Sequence, residues 1–279
     1  MTAVEAGQGI GVLGGGHMGR ALLESLLRRG VERSRLHVAE GSEPVARRLA
    51  AELGVEVTNS ARPWLAGIDT LILAVKPQDM NLAIAGLQPE LKTRGPLVIS
   101  VAAGLSVAQL QQWCGVDVPI VRAMPNRPAL AGVGATGLFA SPNIDAALRR
   151  RAVSILSAAG LVVEVDDEAL MDVVTAVSGS GPAYFFLLAE AMAAAGKAQG
   201  LPRETALQLA RATLQGAGVM ASLETDLAAL RDSVTSKGGT TAAALDSFKA
   251  QGFESMVTAA IAAAVHRGRE LSEDSGKGS

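Results

Sequence analysis

A single cysteine, Cys114, leaves the chain without the pair that an internal disulfide needs. One unpaired thiol suits a reducing compartment, and the cytoplasm is the expected location. Lone buried thiols are packing residues far more often than nucleophiles, so Cys114 is not expected in a catalytic role. Aromatic residues amount to only 3%, and the formal net charge is -2. Bases would find little to stack on and phosphates no cationic stripe, which argues against nucleic acid as a partner. The N-terminus has no basic segment followed by an apolar run, so no secretory signal is expected. The uncharged, apolar stretch 173–189 falls short of the roughly 20 apolar residues that a bilayer demands. It is also interrupted by Ser178-Gly179-Ser180-Gly181-Pro182. No membrane span is expected, and no metal site.

What the chain does have is apolar residues, 49% against 19% charged. That is enough to bury a sizeable core and to exclude disorder. A length of 279 residues suits two domains. Up to residue 165, short apolar runs alternate with helical patterns; from Glu168 onwards alanine and leucine dominate and strand signals vanish. The expected fold is α/β, with an N-terminal Rossmann-like parallel-sheet domain over 1–165 and an all-helical domain over 166–279.

Gly9 to Leu13 reads as a short buried strand. Gly14-Gly15-Gly16-His17-Met18-Gly19 follows at once, then an amphipathic helix with Leu22, Leu23, Leu26 and Leu27 on one face. Strand, Gly-x-Gly-x-x-Gly and helix in that order form the dinucleotide fingerprint. Gly14 serves the tight turn, Gly16 the approach of backbone to pyrophosphate, and Gly19 the close packing of helix on strand. His17 lies in this turn, beside the expected phosphates. A second strand, 35–39, runs into Glu40 about 20 residues past the last glycine, where an acid binds the ribose 2′-hydroxyl of NAD. A carboxylate there repels a 2′-phosphate, so the residues by themselves lean towards NADH.

Further strands are expected at 54–57, 70–75, 97–101 and 119–122, with a last one at 161–165. Uninterrupted apolar runs between helices imply a parallel sheet covered on both faces. Ligands of such sheets bind beyond the carboxyl ends of the strands, where Val75-Lys76-Pro77 and Met124-Pro125-Asn126 fall. Lys76 either pairs with the cofactor's phosphates or ribose, or is a solvated loop lysine. Ser106 and Gln109 have the spacing of a capping box. Ser141-Pro142 is expected to open a helix, with Arg149, Arg150 and Arg151 as a solvated face.

In the second half, the Ser178–Pro182 break in a helical pattern signals either a close helix crossing or the wall of a substrate pocket. Helices around 205–221 and 258–269 carry small residues on nearly every face and must be buried by neighbours. The second domain is too thin to bury them all, so partner subunits are expected. Asp232 to Leu245 reads as a loop feeding a helix. Gly238 and Gly239 expose backbone N–H groups, Thr240 or Thr241 can cap the helix, and Ser236, Thr240 and Thr241 add three hydroxyls. The stretch is either an ordinary glycine-containing cap or a seat for a small carboxylate, which the helix N-terminus favours.

Gly-Gly-Gly-x-Met-Gly at 14–19, Ala-Val-Lys-Pro at 74–77, Arg-x-Met-Pro-Asn at 122–126 and Ser-Gly-Ser-Gly-Pro-Ala-Tyr at 178–184 occur in this order, with the 232–245 loop behind them. The chain thereby resembles the pyrroline-5-carboxylate reductases from Gly9 to about Leu271. The resemblance implies reduction of 1-pyrroline-5-carboxylate to L-proline, the last step of proline biosynthesis, by hydride from NADPH or NADH. It implies a cofactor site made of Gly14, Gly16, His17, Met18, Gly19, Glu40, Asn59, Ala74, Val75, Lys76, Pro77 and Ala102. Met124, Pro125 and Asn126 would stand at the edge shared with substrate, and Ser178 and Gly179 would form its wall. The substrate carboxylate would rest on N–H groups around Gly238, Gly239, Thr240 and Thr241 with help from Ser236. The Thr241 hydroxyl would reach the ring nitrogen. Helical domains would interleave into homodimers, and dimers would assemble further into rings, up to a decamer. Two positions depart from the family pattern: Arg127, where threonine is usual, and Lys237, where proline is frequent.

Two other readings compete. A β-hydroxyacid dehydrogenase shares the plan but needs a lysine on a helix soon after a glycine-rich break, and Lys197 comes too late after Gly181. A nucleotide-binding sensor without catalysis would let the distal loop decay, whereas Ser236 and Gly238 to Thr241 are intact.

Overall fold

Runs such as Thr70-Leu71-Ile72-Leu73 and Leu97-Val98-Ile99-Ser100 are buried along their whole length and form the centre of an eight-stranded sheet. The structure, a computed structural model, describes residues 4, 7, 9–142, 144–224 and 226–277, with side chains as far as Ser272. The chain forms two compact units, one of Met1–Gly179 with Ala264–Ser279 and one of Ser180–Ala263.

The first unit holds strands β1 (Ile10–Leu13), β2 (Leu36–Ala39), β3 (Glu56–Thr58), β4 (Thr70–Leu73), β5 (Leu97–Ser100), β6 (Ile120–Met124), β7 (Gly134–Ala140) and β8 (Gly160–Glu164), in the order β3-β2-β1-β4-β5-β6-β7-β8. Between them run α1 (His17–Arg28), α2 (Glu43–Leu53), α3 (Arg62–Leu65), α4 (Met80–Ala85), α5 (Gln88–Arg94), α6 (Val107–Cys114), α7 (Ala146–Leu156) and α8 (Leu170–Val174). Strands β1 to β6 are parallel, as expected of apolar runs linked by helices. Alternation along each strand divides the core into two layers. Ile72, Leu97, Ile99 and Val121 face the layer that holds Leu22, Leu23 and Leu26 of α1. Leu71, Leu73, Val98 and Ile120 face the one with Trp64, Met80, Ile84 and Leu110. Each such leucine or isoleucine, fully buried, contributes about 1.5–3 kcal/mol.

Strand β7 lies outside the sequence expectation. It pairs antiparallel to β6 and parallel to β8, at the end of the otherwise parallel sheet. Its sequence, Gly-Ala-Thr-Gly-Leu-Phe-Ala, hides it, because small residues replace the β-branched signal. The glycines answer to close neighbours: a Cβ on Gly137 would lie 2.3 Å from Val174 Cγ1, and one on Gly160 2.0 Å from the Gly134 carbonyl oxygen.

Two local expectations need correction, and a third gains detail. Ser141 does not open a helix; it is buried, and its Oγ accepts the Ile120 N–H at 3.3 Å. Asp145 caps α7 instead, accepting from Ala147 and Leu148 at 2.8 Å. The arginines of α7 are not all solvated either, since Arg149 pairs with Glu164 and Arg151 with Asp69, both at 3.4 Å. Finally, Ser178–Pro182 does interrupt the helical run, at Ser180, which is the N-cap residue of a new helix. Thr175–Gly179 winds as a π turn before it, and the stretch Leu170–Ala198 taken together is long and apolar enough to cross a membrane by length and composition. Pro182 is tolerated because it stands in the first turn of the next helix, where its missing N–H costs little.

The second unit contains α9 (Gly181–Ala198), α10 (Arg203–Leu223), α11 (Leu227–Ser233), α12 (Thr240–Ala250) and the first part of α13 (Phe253–Lys277). Gly196 of α9 faces Ala206 of α10, where an added Cβ would stand in ordinary contact at 3.6 Å from the alanine methyl. Among the described residues of this unit only Gly181, Ala206 and Ala210 are buried. Phe185, Phe186, Leu187, Leu209 and Met256 are all more than half exposed. Exposed large apolar side chains in such number mark a surface for association.

Candidate functional site

Backbone hydrogen bonds lace the carboxyl ends of the parallel strands together. Gly14 N–H donates to the Ala39 carbonyl at 2.9 Å, Ala74 N–H to Leu13 at 2.8 Å, Glu40 N–H to Thr58 at 2.9 Å and Val101 N–H to Leu73 at 3.0 Å. The glycine turn, Glu40, Asn59, Ala74 to Pro77 and Ala102 thus gather at one end of the sheet. Chain order reverses there, between β1 and β4, which is where ligands of open α/β sheets bind.

The glycines fit a dinucleotide on steric grounds. Gly14 has φ +101°, and a Cβ on it would lie 2.8 Å from the Ala74 carbonyl and the Val75 nitrogen. Gly19 admits no side chain at all, because its Cβ would sit 2.1 Å from the Gly14 oxygen. Gly16, by contrast, has nothing within 4 Å of where a Cβ would stand. It is the N-cap residue of α1 and has no side-chain cap, so the first N–H groups of that helix face open space. A pyrophosphate suits this seat by charge and by shape. His17 and Lys76 are exposed beside it, whereas Met18 leans on the core beneath.

The carboxylate of Glu40 turns onto the loop. Its Oε2 accepts the Gly15 N–H at 2.7 Å and its Oε1 the Ser42 N–H at 2.7 Å. An acid at this place was legible in the sequence; its double bond to the backbone was not, because the pairing depends on how the loop folds back.

Beyond β6 the expected Met124-Pro125-Asn126 turn meets the π segment. Asn126, buried, donates its Nδ2 hydrogen to the Ser178 carbonyl at 3.0 Å and accepts the Ala135 N–H on Oδ1 at 2.9 Å. The Ser178 hydroxyl bonds back to the Val174 carbonyl at 2.9 Å, and a Cβ on Gly179 would come within 2.9 Å of Met124 Cε. Ser178 lines an open apolar groove of ≈ 350 Å³ with Thr136, Val163, Leu170, Val173 and Val177. The same β6 strand holds α8 from its other end. Arg122, buried, reaches Glu168 Oε1 at 3.1 Å and Asp172 Oδ1 at 3.6 Å, and Glu168 Oε1 also accepts the Val107 N–H at 2.7 Å. This cluster escaped the sequence reading. An arginine inside an apolar strand was the available signal, but its partners stand 46 and 50 positions away.

In the second unit, Gly238 has φ +73° and turns the chain into α12. Gly239, not Thr240 or Thr241, is the N-cap residue, and no side chain caps this helix. The two threonines occupy its first two positions, so their N–H groups stay free of side-chain partners. Ser236 accounts for the second glycine: a Cβ on Gly239 would lie 2.3 Å from its Oγ. Lys237 is exposed.

A glycine turn beyond the carboxyl ends of parallel strands, with an uncapped helix behind it, defines a dinucleotide-binding Rossmann protein. Comparison with known proteins narrows the class. Residues 168–271 match the family described as pyrroline-5-carboxylate reductase dimerisation, and residues 9–104 that described as NADP oxidoreductase coenzyme F420-dependent. The chain is 44% identical to the pyrroline-5-carboxylate reductase of Pseudomonas aeruginosa over 96% of its own length and 98% of that protein. It is 39% identical to that of Haemophilus influenzae over 94% and 97%. Its fold is similar to a pyrroline-5-carboxylate reductase from Coxiella burnetii, with TM-score 0.91, 37% identity and coverage of 95% and 98%. It is also similar to the Plasmodium falciparum pyrroline carboxylate reductase solved with NADP bound, with TM-score 0.81, 28% identity and coverage of 96% and 99%. The chain belongs to the pyrroline-5-carboxylate reductase family: it is an NAD(P)H-dependent oxidoreductase that reduces pyrroline-5-carboxylate to proline.

Proposed function

We propose that residues 1–165 serve the dinucleotide and that 166–279 serve the substrate and the contact between subunits. The ranges of the two matched families, one on either side of this boundary, support the division. Gly14, Gly16 and Gly19 shape the pyrophosphate seat, His17 and Met18 open the helix above it, and Glu40 meets the adenosine ribose. Asn59, Ala74, Val75, Lys76, Pro77 and Ala102 line the remainder. When bound, the reduced nicotinamide supplies the hydride. A cyclic imine is readily protonated near neutral pH, so the protein's work is placement rather than acid–base chemistry. The amides of Thr240 and Thr241 hold the substrate carboxylate; the Gly239 N–H, expected to join them, is given to the Ser236 carbonyl at 3.0 Å. Ser236 adds a hydroxyl and Gly238 keeps the turn open. Thr241 Oγ1 accepts the hydrogen bond of the protonated ring nitrogen. Ser178 and Gly179, fixed by Asn126 and Met124, wall the pocket.

The observation that carries these roles is the uncapped first turn of α12, whose N–H groups and positive dipole end are left for a small anion. Exposed Phe185, Phe186 and Leu187 are the surface for a second copy, and the dimers build larger rings, up to a decamer, in the cytoplasm. Initial rates with pyrroline-5-carboxylate test the site. Thr241→Ala should lower kcat/KM by about 10–100-fold, the worth of one hydrogen bond to a charged group, while the Kd for NADPH stays unchanged. Equal loss of both would assign Thr241 to folding instead.

A further inference from the structure

Glu40 is more than an acid at the end of β2. Its two oxygens are each fixed by a backbone N–H at 2.7 Å, one from Gly15 in the glycine turn and one from Ser42, the N-cap residue of α2. Swinging the carboxylate aside would strip both amides at once, and the buried Gly15 N–H does not give up a charged acceptor cheaply. We propose that Glu40 makes this enzyme prefer NADH to NADPH, which rests on the reading that the adenosine ribose lies beside it.

The reasoning is one of donors already taken. A carboxylate has about four lone-pair sites, and two remain after the amides of Gly15 and Ser42 are served. Ribose hydroxyls are donors and can use them. A 2′-phosphate is an acceptor carrying close to two negative charges at pH 7, and it needs N–H groups or cations. The Ser42 N–H, a natural donor at this corner, is spent on Glu40. The Arg47 guanidinium, on the helix that starts there, is engaged by Glu43. The phosphate would therefore meet a fixed like charge and a corner whose donors carry carboxylates of their own. Part of the chain matches a family described as NADP oxidoreductase, so a preference for NADH is a property of these particular residues.

Binding, rather than turnover, tests the proposal on the intact oligomer. Nicotinamide fluorescence titrations give the Kd of NADH and of NADPH without substrate. The wild type should bind NADH at least about tenfold more tightly, a modest share of the repulsion expected between two such charges at close range. Glu40→Gln keeps an oxygen for the Gly15 N–H and removes the charge. It should tighten NADPH by roughly tenfold and weaken NADH, since the amide nitrogen that replaces one oxygen accepts no ribose hydroxyl; both changes close the gap. Circular dichroism and sedimentation confirm that the variant is folded and assembled, and the wild-type ratio stands even if it is not. A wild type that binds the two dinucleotides equally, or NADPH more tightly, overturns the proposal alone. So does a folded Glu40→Gln protein with the wild-type ratio. A wild type that binds neither dinucleotide overturns both the proposal and the reading beneath it.

Discussion

Replacing two glycines of the same turn by alanine should give opposite outcomes for stability. At Gly14 the backbone has φ +101°, a region that side chains avoid, at a cost of about 1–3 kcal/mol. The new methyl would also stand 2.8 Å from the Ala74 carbonyl and the Val75 nitrogen, which are backbone atoms and cannot rotate away. Together these should destabilise Gly14→Ala by roughly 3 kcal/mol, lowering the melting temperature by about 6–12 °C. Dinucleotide affinity should fall with it, since the turn must move off β4. At Gly16 φ is -63° and nothing lies within 4 Å of the added methyl. Gly16→Ala should therefore fold within about 0.5 kcal/mol of the wild type. It should nevertheless bind NADH and NADPH at least tenfold more weakly (~1.4 kcal/mol), because the methyl fills the approach to the pyrophosphate. Differential scanning fluorimetry and nicotinamide fluorescence, run on both variants, separate the two effects. A Gly16→Ala protein with normal affinity would refute the assignment of this turn to phosphate binding. A Gly14→Ala protein that melts like the wild type would refute the steric account.

The buried Arg122 cluster should be costly to break. Arg122→Met leaves Glu168 and Asp172 without their cation and should destabilise by about 3–5 kcal/mol, read as a lower urea midpoint; an unchanged midpoint sinks this account of how α8 is held. Burial pushes the Cys114 thiol up to about 12. The folded state keeps its proton where the unfolded chain has lost it, so this contribution is whole below about pH 9 and drains as pH rises towards 12. Unfolding free energies from urea titrations should accordingly fall with pH above about 9 by up to roughly 1.4 kcal/mol per pH unit, and the extra slope should vanish in Cys114→Ala. Phe186, 59% exposed on α9, should matter to assembly: Phe186→Glu should shift sedimentation from oligomer towards monomer at micromolar concentration. Persistence of the full assembly would place the subunit contact elsewhere.

Much of the first unit was legible because its residues speak locally. Four-residue runs buried on both sides announce parallel strands, and the spacing of Gly14, Gly16 and Gly19 announces a turn feeding a helix. The Ser106 and Gln109 capping box formed as read, with Ser106 Oγ accepting the Gln109 N–H at 3.2 Å. What failed locally failed for physical reasons. Strand β7 carries small residues because α8 presses on it, a demand set by a neighbour distant in sequence. Ser141 is a poor guide to a helix start because its hydroxyl is claimed by Ile120 across the sheet. The loss of helix propensity at Ser178-Gly179 was absorbed by a π turn that Asn126 fastens from another part of the chain.

By itself, then, the order of residues determined the strands other than β7, the glycine turn, the distal loop and the family, since each rests on neighbours within a few positions. Only the tertiary structure decided which donors those groups keep. It gave the amides of Gly15 and Ser42 to Glu40, set Arg122 between Glu168 and Asp172, and left the first turn of α12 without a cap. Such pairings join groups whose separation along the chain carries no period, and folding alone brings them within reach of a hydrogen bond.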